Sequence, residues 1–219
     1  MITLYCTRNT PPFLRAEWVR DLRGLWAAEE CGTPYRIHWL DASKSEQREA
    51  AYKSVNPFGT VPAMTDGAFK LFESAAIVNY ICDGAGQHIP APRTQERALY
   101  DQWCFAALNT VEPPVFQLMI TVLNKDAAWA KERAPVLREQ ANARLAALDQ
   151  MLGGRAFLLD AFSGADVLMG QVLNFIVDAA LIGAHANVVA YHQRLKARPA
   201  YARALAAQAG GKNASLEAQ

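Results

Sequence analysis

Three short stretches carry side chains whose types and order could do chemistry. In the first, Asn56-Pro57-Phe58-Gly59-Thr60-Val61-Pro62, the proline opens a strand, and a residue without an amide proton is tolerated there at the first position or on an edge. A cis bond before Pro62 would leave the N–H and C=O of Val61 open to an extended peptide; taken alone, the stretch also reads as a simple turn. In the second, Phe72-Glu73-Ser74, a strand meets a helix and Ser74 is placed as the N-cap. The helix start favours an anion through unpaired N–H groups and the macrodipole, and Glu73 is an acidic partner for an ammonium group. Together they suit the zwitterionic end of an amino acid; alone, they also read as a plain cap beside a solvated carboxylate. The third, Ser163-Gly164-Ala165-Asp166, has the spacing of a capping box with Asp in place of Glu or Gln, and reads as structural.

Four cysteines, Cys6, Cys31, Cys82 and Cys104, form no C-x-x-C pair, so the spacing suggests neither a dithiol redox centre nor a zinc knuckle, and no metal is expected. In 219 residues they are too few for a disulfide framework, and reduced thiols in a cytosolic protein are expected. Cys6 is a nucleophile candidate by type, and equally a small packing residue at the end of a strand.

The elements that must position these residues follow from periodicity. Residues 2–6 read as a strand, 18–30 as a helix stopped by Gly32 and Pro34, and 35–40 as a second strand. Residues 45–54 read as a short helix, 60–64 and 70–72 as strands around an Asp66-Gly67 turn, and 74–82 as a helix. Gly84, Gly86, Pro90 and Pro92 mark a linker over 84–92. Helices alone are expected beyond it: 94–123, bent at Glu112-Pro113-Pro114, then 136–152, 167–182, 188–197 and 201–208. The organisation is thus a domain over 1–83, a linker over 84–92, an all-helical domain over 93–208 and a disordered tail over 209–219. Asn213-Ala214-Ser215 matches a glycosylation acceptor, to which no weight is given without a secretion signal.

Composition bounds the partners. Hydrophobic residues make up 52% and charged residues 20%, enough apolar material for a sizeable core. A net charge of +1 argues against nucleic acid, and residues 167–184, interrupted by Gln171, Asn174 and Asp178, read as a buried helix rather than a membrane span. The start of the sequence lacks the pattern of a secretory signal, so a cytoplasmic location is expected.

Taken in order, residues 56–64, the run Leu71-Phe72-Glu73-Ser74-Ala75-Ala76-Ile77, residues 25–32 and the Ser163–Asp166 box resemble the cytosolic glutathione S-transferase family, of bacterial type with the class unassigned. The resemblance covers about residues 1–205. It implies an α/β thioredoxin-like N-terminal domain, an all-α C-terminal domain, a homodimer, and glutathione as co-substrate. Val61 and Pro62 would hold the cysteinyl part of glutathione, and Glu73 and Ser74 its γ-glutamyl end. The implied activity is attack of the glutathione thiolate on a small hydrophobic electrophile. A non-catalytic binding protein, or a glutathione-dependent isomerase, dehalogenase or lyase, would use the same fold.

The family places a Tyr, Ser or Cys after the first strand; here Cys6-Thr7-Arg8-Asn9-Thr10-Pro11-Pro12-Phe13 follows, in a longer loop without Tyr or Ser. Asn9 and Thr10 fall nearest the catalytic position and can donate hydrogen bonds to the thiolate, with Arg8, Arg15 and Arg20 as sources of positive charge. The second-substrate pocket would draw on residues 11–18 and on Tyr100, Trp103, Phe105, Leu108 and Phe116, which at helical spacing also read as core.

Overall fold

A computed structural model of the chain describes residues 1–11 and 14–213. These form two compact units, Met1–Gln87 with the segment from Arg198 onward, and His88–Ala197.

The first unit is built on a four-stranded sheet in the order β2-β1-β3-β4. Alternation in β1 (Ile2–Arg8) sends Ile2, Leu4 and Cys6 into the core. β2 (Tyr35–Asp41) runs parallel to β1, so the chain must cross over between them, and α1 (Asp21–Cys31) makes that crossover. β3 (Ala63–Asp66) is antiparallel to β1, and β4 (Phe69–Phe72) is antiparallel to β3. The hairpin turn is Gly67-Ala68 rather than Asp66-Gly67, because Asp66 still pairs with Phe69. α3 (Ser74–Ala85) then packs beside α1. Gly24 permits this approach: a Cβ there would lie 3.2 Å from Ile77 Cγ2 and 3.3 Å from a Leu4 methyl.

Several boundaries differ from expectation. α1 starts at Asp21 rather than residue 18, because Trp18 closes a short turn over Ala16–Trp18 and Val19 is extended, with ψ of 140°. Residues 45–54 contain a single turn, Glu46–Arg48, and the one-turn α2 (Ala50–Lys53) rather than one helix.

The second unit is helical. α4 (Gln95–Phe105) runs through a π-helical stretch, Ala106–Val111, into α5 (Glu112–Leu123). Pro113 and Pro114 remove two amide donors, and the π stretch immediately before them is how the helix accommodates that loss. By length and composition Gln95–Leu123 would pass as a membrane span, but it packs against α6 (Ala128–Met151) and α7 (Gly164–Leu173). α7 ends earlier than expected; α8 (Ala179–Gly183) and α9 (Ala186–Lys196) complete the unit.

The last helix, α10 (Pro199–Asn213), groups with the first unit, whereas the sequence assigns residues 198–208 to the helical domain. The cause is specific pairing with α1. Arg198 grips Glu30 through two bonds of 2.6 and 2.7 Å, Arg203 meets Glu29 at 2.7 Å, and Tyr201 stands edge-on to Trp26 at 4.9 Å. Residues 209–213, expected as tail, continue this helix; residues 214–219 of the expected tail lie outside the described residues.

Candidate functional site

Strand register brings the predicted site residues to one end of the sheet. The last ladder pairs are Tyr5 with Ala63 and Ala63 with Phe72. Val61-Pro62 leads into β3 at this end, and Glu73-Ser74 leaves β4 at the same end, where β1 continues through Cys6 to Arg8. Residues separated by more than sixty positions therefore converge because β3 lies between β1 and β4.

The Val61–Pro62 bond is cis, as expected. No described residue forms a hydrogen bond with the Val61 N–H or C=O. The loop before it is fixed from beneath: Tyr52 Oη and Asn56 Nδ2 both donate to the Thr60 carbonyl, at 2.6 and 2.7 Å. Gly59 has φ of 61°, and a Cβ there would stand 2.8 Å from the Gln47 carbonyl oxygen, so only glycine fits without a shift.

At the head of α3 the geometry departs from a simple serine cap. Glu73 occupies the cap position with φ of 73° and ψ of 116°, a region that side chains with a Cβ rarely adopt, and its side chain is exposed. Ser74 is the first helical residue, buried, and its Oγ accepts a hydrogen bond of 2.9 Å from Arg23 Nη1. The first N–H groups of α3 thus have no side-chain cap, and the guanidinium of Arg23, itself only 1% exposed, lies beneath them. Both features favour an anion at this helix end.

The expected donors after β1 are placed differently from one another. Asn9, with φ of 53°, donates its side-chain amide to Asp41 Oδ2 at 2.9 Å. That carboxyl is held down to about 2 by the Ser43 hydroxyl first, and by Asn9 and backbone N–H groups. Thr10 Oγ1 and Arg8 Nε are buried with no hydrogen-bond partner among the described residues. Cys6 is completely buried, and burial, reinforced by Asp21, pushes its thiol well above the ordinary range, so it cannot serve as an accessible nucleophile.

Two residues absent from the sequence reading lie under this end of the sheet. One is Arg23. The other is Asp21, 1% exposed, whose Oδ2 accepts from Thr7 N at 2.6 Å and Thr7 Oγ1 at 2.9 Å. Burial raises its carboxyl to about 6, against the lowering effect of these bonds and of the nearby Gln208 amide. The available signal was two charged residues on the buried side of an apolar helix.

In the helical unit, Asp166 accepts from Ser163 N at 2.9 Å, Ser163 Oγ at 3.0 Å, Leu158 N at 3.0 Å and Tyr191 Oη at 2.8 Å, so the capping box is structural, as read. Of the pocket candidates, Tyr100 is wholly buried as core, the half-buried Phe116 packs edge-on against the buried Phe175 at 5.1 Å, and Phe105 is exposed. Pro12 and Phe13 of the candidate loop lie outside the described residues. Among the described residues no group of three His, Cys, Asp or Glu side chains could hold a metal ion.

Comparison with known proteins agrees with this geometry. Residues 13–83 match the family described as Glutathione S-transferase, N-terminal domain. A probable glutathione S-transferase GSTF2 of rice (Oryza sativa subsp. japonica) is 31% identical over 186 residues, 78% of this chain and 84% of that protein. The glutathione S-transferase F9 of Arabidopsis thaliana is 31% identical over 104 residues, and the chain spans about half of its length, 48%. Among solved structures, poplar glutathione transferase F1 superimposes with a TM-score of 0.82 at 25% identity, covering 95% of this chain and 98% of that one. A glutathione transferase from Burkholderia graminis, with two glutathione molecules bound per subunit, gives 0.79 at 26%, covering 93% and 87%.

A thioredoxin-like sheet unit followed by a mostly helical one is the architecture of these neighbours. The chain belongs to the glutathione S-transferase family.

Proposed function

We propose that the protein is a glutathione transferase that activates the glutathione thiolate for attack on a small hydrophobic electrophile. The observation that carries this reading is the convergence of Val61, Glu73 and Ser74 at one sheet end, each with an unused group suited to one part of glutathione. The γ-glutamyl carboxylate takes the uncapped N–H groups of α3, supported from below by Arg23 through Ser74. The exposed Glu73 carboxylate takes the ammonium group, and the Val61 backbone pairs with the cysteinyl residue as an added strand would.

Thiolate stabilisation falls to the segment after β1. A thiol of pKa about 8.5 is only a few per cent ionised at neutral pH, and lowering it by about two units needs roughly 2.7 kcal/mol. Two charge-assisted hydrogen bonds are of that size. Thr10 Oγ1 and Arg8 Nε are the donors, since both are buried and unpartnered among the described residues. Asn9, whose amide is engaged by Asp41, holds the loop in place and offers the thiolate its backbone N–H alone. That engagement also favours a second reading, a protein that binds glutathione without activating it. In the relatives' company the bacterial-type placing rests on solved structures such as that from Burkholderia graminis, beside plant relatives. A homodimer in the cytoplasm is part of the proposal; the dimer is supported by Phe58, a large apolar side chain 72% exposed on the site loop.

Two measurements test this. Titration calorimetry with reduced glutathione is expected to give saturable binding that Glu73→Ala weakens by at least about 1 kcal/mol, roughly fivefold. No heat at millimolar glutathione would refute the site. Thiolate absorbance followed against pH is expected to show a bound thiol whose pKa rises by about one unit in Thr10→Ala, about 1.4 kcal/mol. An undepressed thiol pKa in the parent, with binding intact, would favour the second reading.

A further inference from the structure

We propose that Cys31 and Cys82 form a hydroperoxide-reactive dithiol at the end of the sheet opposite the glutathione site, with Cys31 as the attacking thiol and Cys82 as the resolving one. The proposal does not depend on the glutathione reading. Cys31 closes α1 and Cys82 lies near the end of α3; the packing of these two helices brings residues 51 positions apart to an Sγ–Sγ distance of 3.9 Å. Both are reduced. A disulfide needs the sulfurs at about 2.05 Å, so they must approach by roughly 2 Å.

Access separates the two roles. Cys31 is half-buried and lines an open cleft of about 840 Å³ with Met1, Ile2, Pro34, Ile81 and the carboxylates of Asp66 and Asp83. Cys82 is only 1% exposed, behind it. A reagent from solvent therefore meets Cys31 first, and Cys82 is in place for whatever forms there. The walls are largely apolar, and their two carboxylates, Asp83 and an Asp66 that meets the Met1 ammonium at 4.0 Å, leave no net positive charge to draw an anionic oxidant such as glutathione disulfide, whereas a small neutral hydroperoxide needs none. The Cys82 thiol, first, lowers the pKa of Cys31, against burial and the Glu30 carboxylate. The other two thiols are buried and pushed upward, that of Cys104 to about 12. β1 separates this cleft, at Ile2, from the glutathione site beyond Arg8, roughly 20 Å at about 3.3 Å per residue.

The chemistry balances with a hydroperoxide as the oxidant. The Cys31 thiolate attacks the distal peroxide oxygen, the O–O bond breaks, and the leaving oxygen takes a proton to depart as water or an alcohol; Cys31 becomes a sulfenic acid. The Cys82 sulfur then attacks Cys31 Sγ, the S–O bond breaks, and the sulfenic oxygen leaves as water with the Cys82 proton. Two thiols lose two electrons and two protons, and the hydroperoxide gains them.

The test uses the reduced full chain and hydrogen peroxide, followed by alkylation and peptide mapping. The expected result is a loss of two hydrogens in mass with one cross-link, Cys31 to Cys82, reversed by dithiothreitol, while Cys6 and Cys104 stay thiols. In Cys82→Ser the expected product is a Cys31 sulfenic acid captured by dimedone. Before oxidation, iodoacetamide is expected to label Cys31 at least about tenfold faster than Cys6 or Cys104. Peroxide-treated parent protein that keeps both thiols alkylatable, that cross-links another pair, or that over-oxidises Cys31 without a cross-link would overturn the proposal, whether or not the variant folds.

Discussion

At the scale of the residue, Asp21 is the clearest source of pH dependence. Its carboxyl ionises near 6 in the fold against 3.8 as the ordinary value, because burial outweighs the bonds from Thr7. A carboxyl raised in the folded state favours folding while it is protonated. Its contribution is complete below about pH 4 and is lost as pH rises through about 6, by up to about 3 kcal/mol for about two units. Asp41 acts in the opposite sense at lower pH, since its stabilising charge is lost only as pH falls toward 2. The prediction is that urea midpoints fall between pH 4 and 6.5, and that Asp21→Asn flattens this window. An amide at that position can still accept from Thr7 through its oxygen but cannot ionise. A parent protein whose midpoint rises with pH across the window would contradict the assignment. Sequence reading singled out Val61, Glu73 and Ser74, proposed above to hold glutathione, because the turn and helix-start signals at those positions are local. It did not find Asp21 or Arg23, whose importance comes from burial, and burial depends on which helix face the sheet covers.

At the scale of the element, the order β-α-β then β-β-α was legible, because each strand and helix carries its own period. What failed were endings decided by tertiary contacts: Trp18 and Val19 fit the helical period but are drawn into a turn before α1. The start of α7 was legible for the opposite reason, since a capping box is written within four residues. Its Asp166 does more than the box requires. It also accepts from Leu158 N and Tyr191 Oη, tying the preceding loop and α9 to the head of α7. Removing the carboxylate would leave several buried donors unsatisfied, at about 1–3 kcal/mol each. Asp166→Ala is therefore expected to lower stability by at least about 3 kcal/mol in urea unfolding, and Tyr191→Phe by about 1 kcal/mol. Equal losses from the two would mean that the loop bonds contribute nothing.

At the scale of the whole molecule, the order of a sheet unit before a helical unit was legible, because strand periods give way to helical ones along the sequence. The place of α10 was not, because an alanine-rich helix preceded by Arg198 and carrying Arg203 gives no sign of where Glu29 and Glu30 will be. Nor does a spacing of 51 residues reveal that Cys31 and Cys82 meet. The proposed homodimer is tested at the exposed Phe58, whose ring stands edge-on to Phe72 at 5.7 Å. Phe58→Ser is expected to weaken self-association at least tenfold by analytical ultracentrifugation with the monomer still folded; an unchanged association constant would remove this side chain from the interface.

The pairing of α10 with α1 also dictates the order in which the protein can be finished during synthesis. The sheet unit takes its final helix from beyond Ala197, so its first 87 residues emerge from the ribosome without the partner of Trp26, Glu29 and Glu30. The 110 residues of the other unit, 88 to 197, must be translated in between, which takes about 5–20 s at about 5–20 residues per second. For that interval the nascent sheet unit presents an apolar helix face to solvent, and the helical unit, contiguous in the chain, can complete its core first. The sheet unit is thus begun before the helical unit and closed after it.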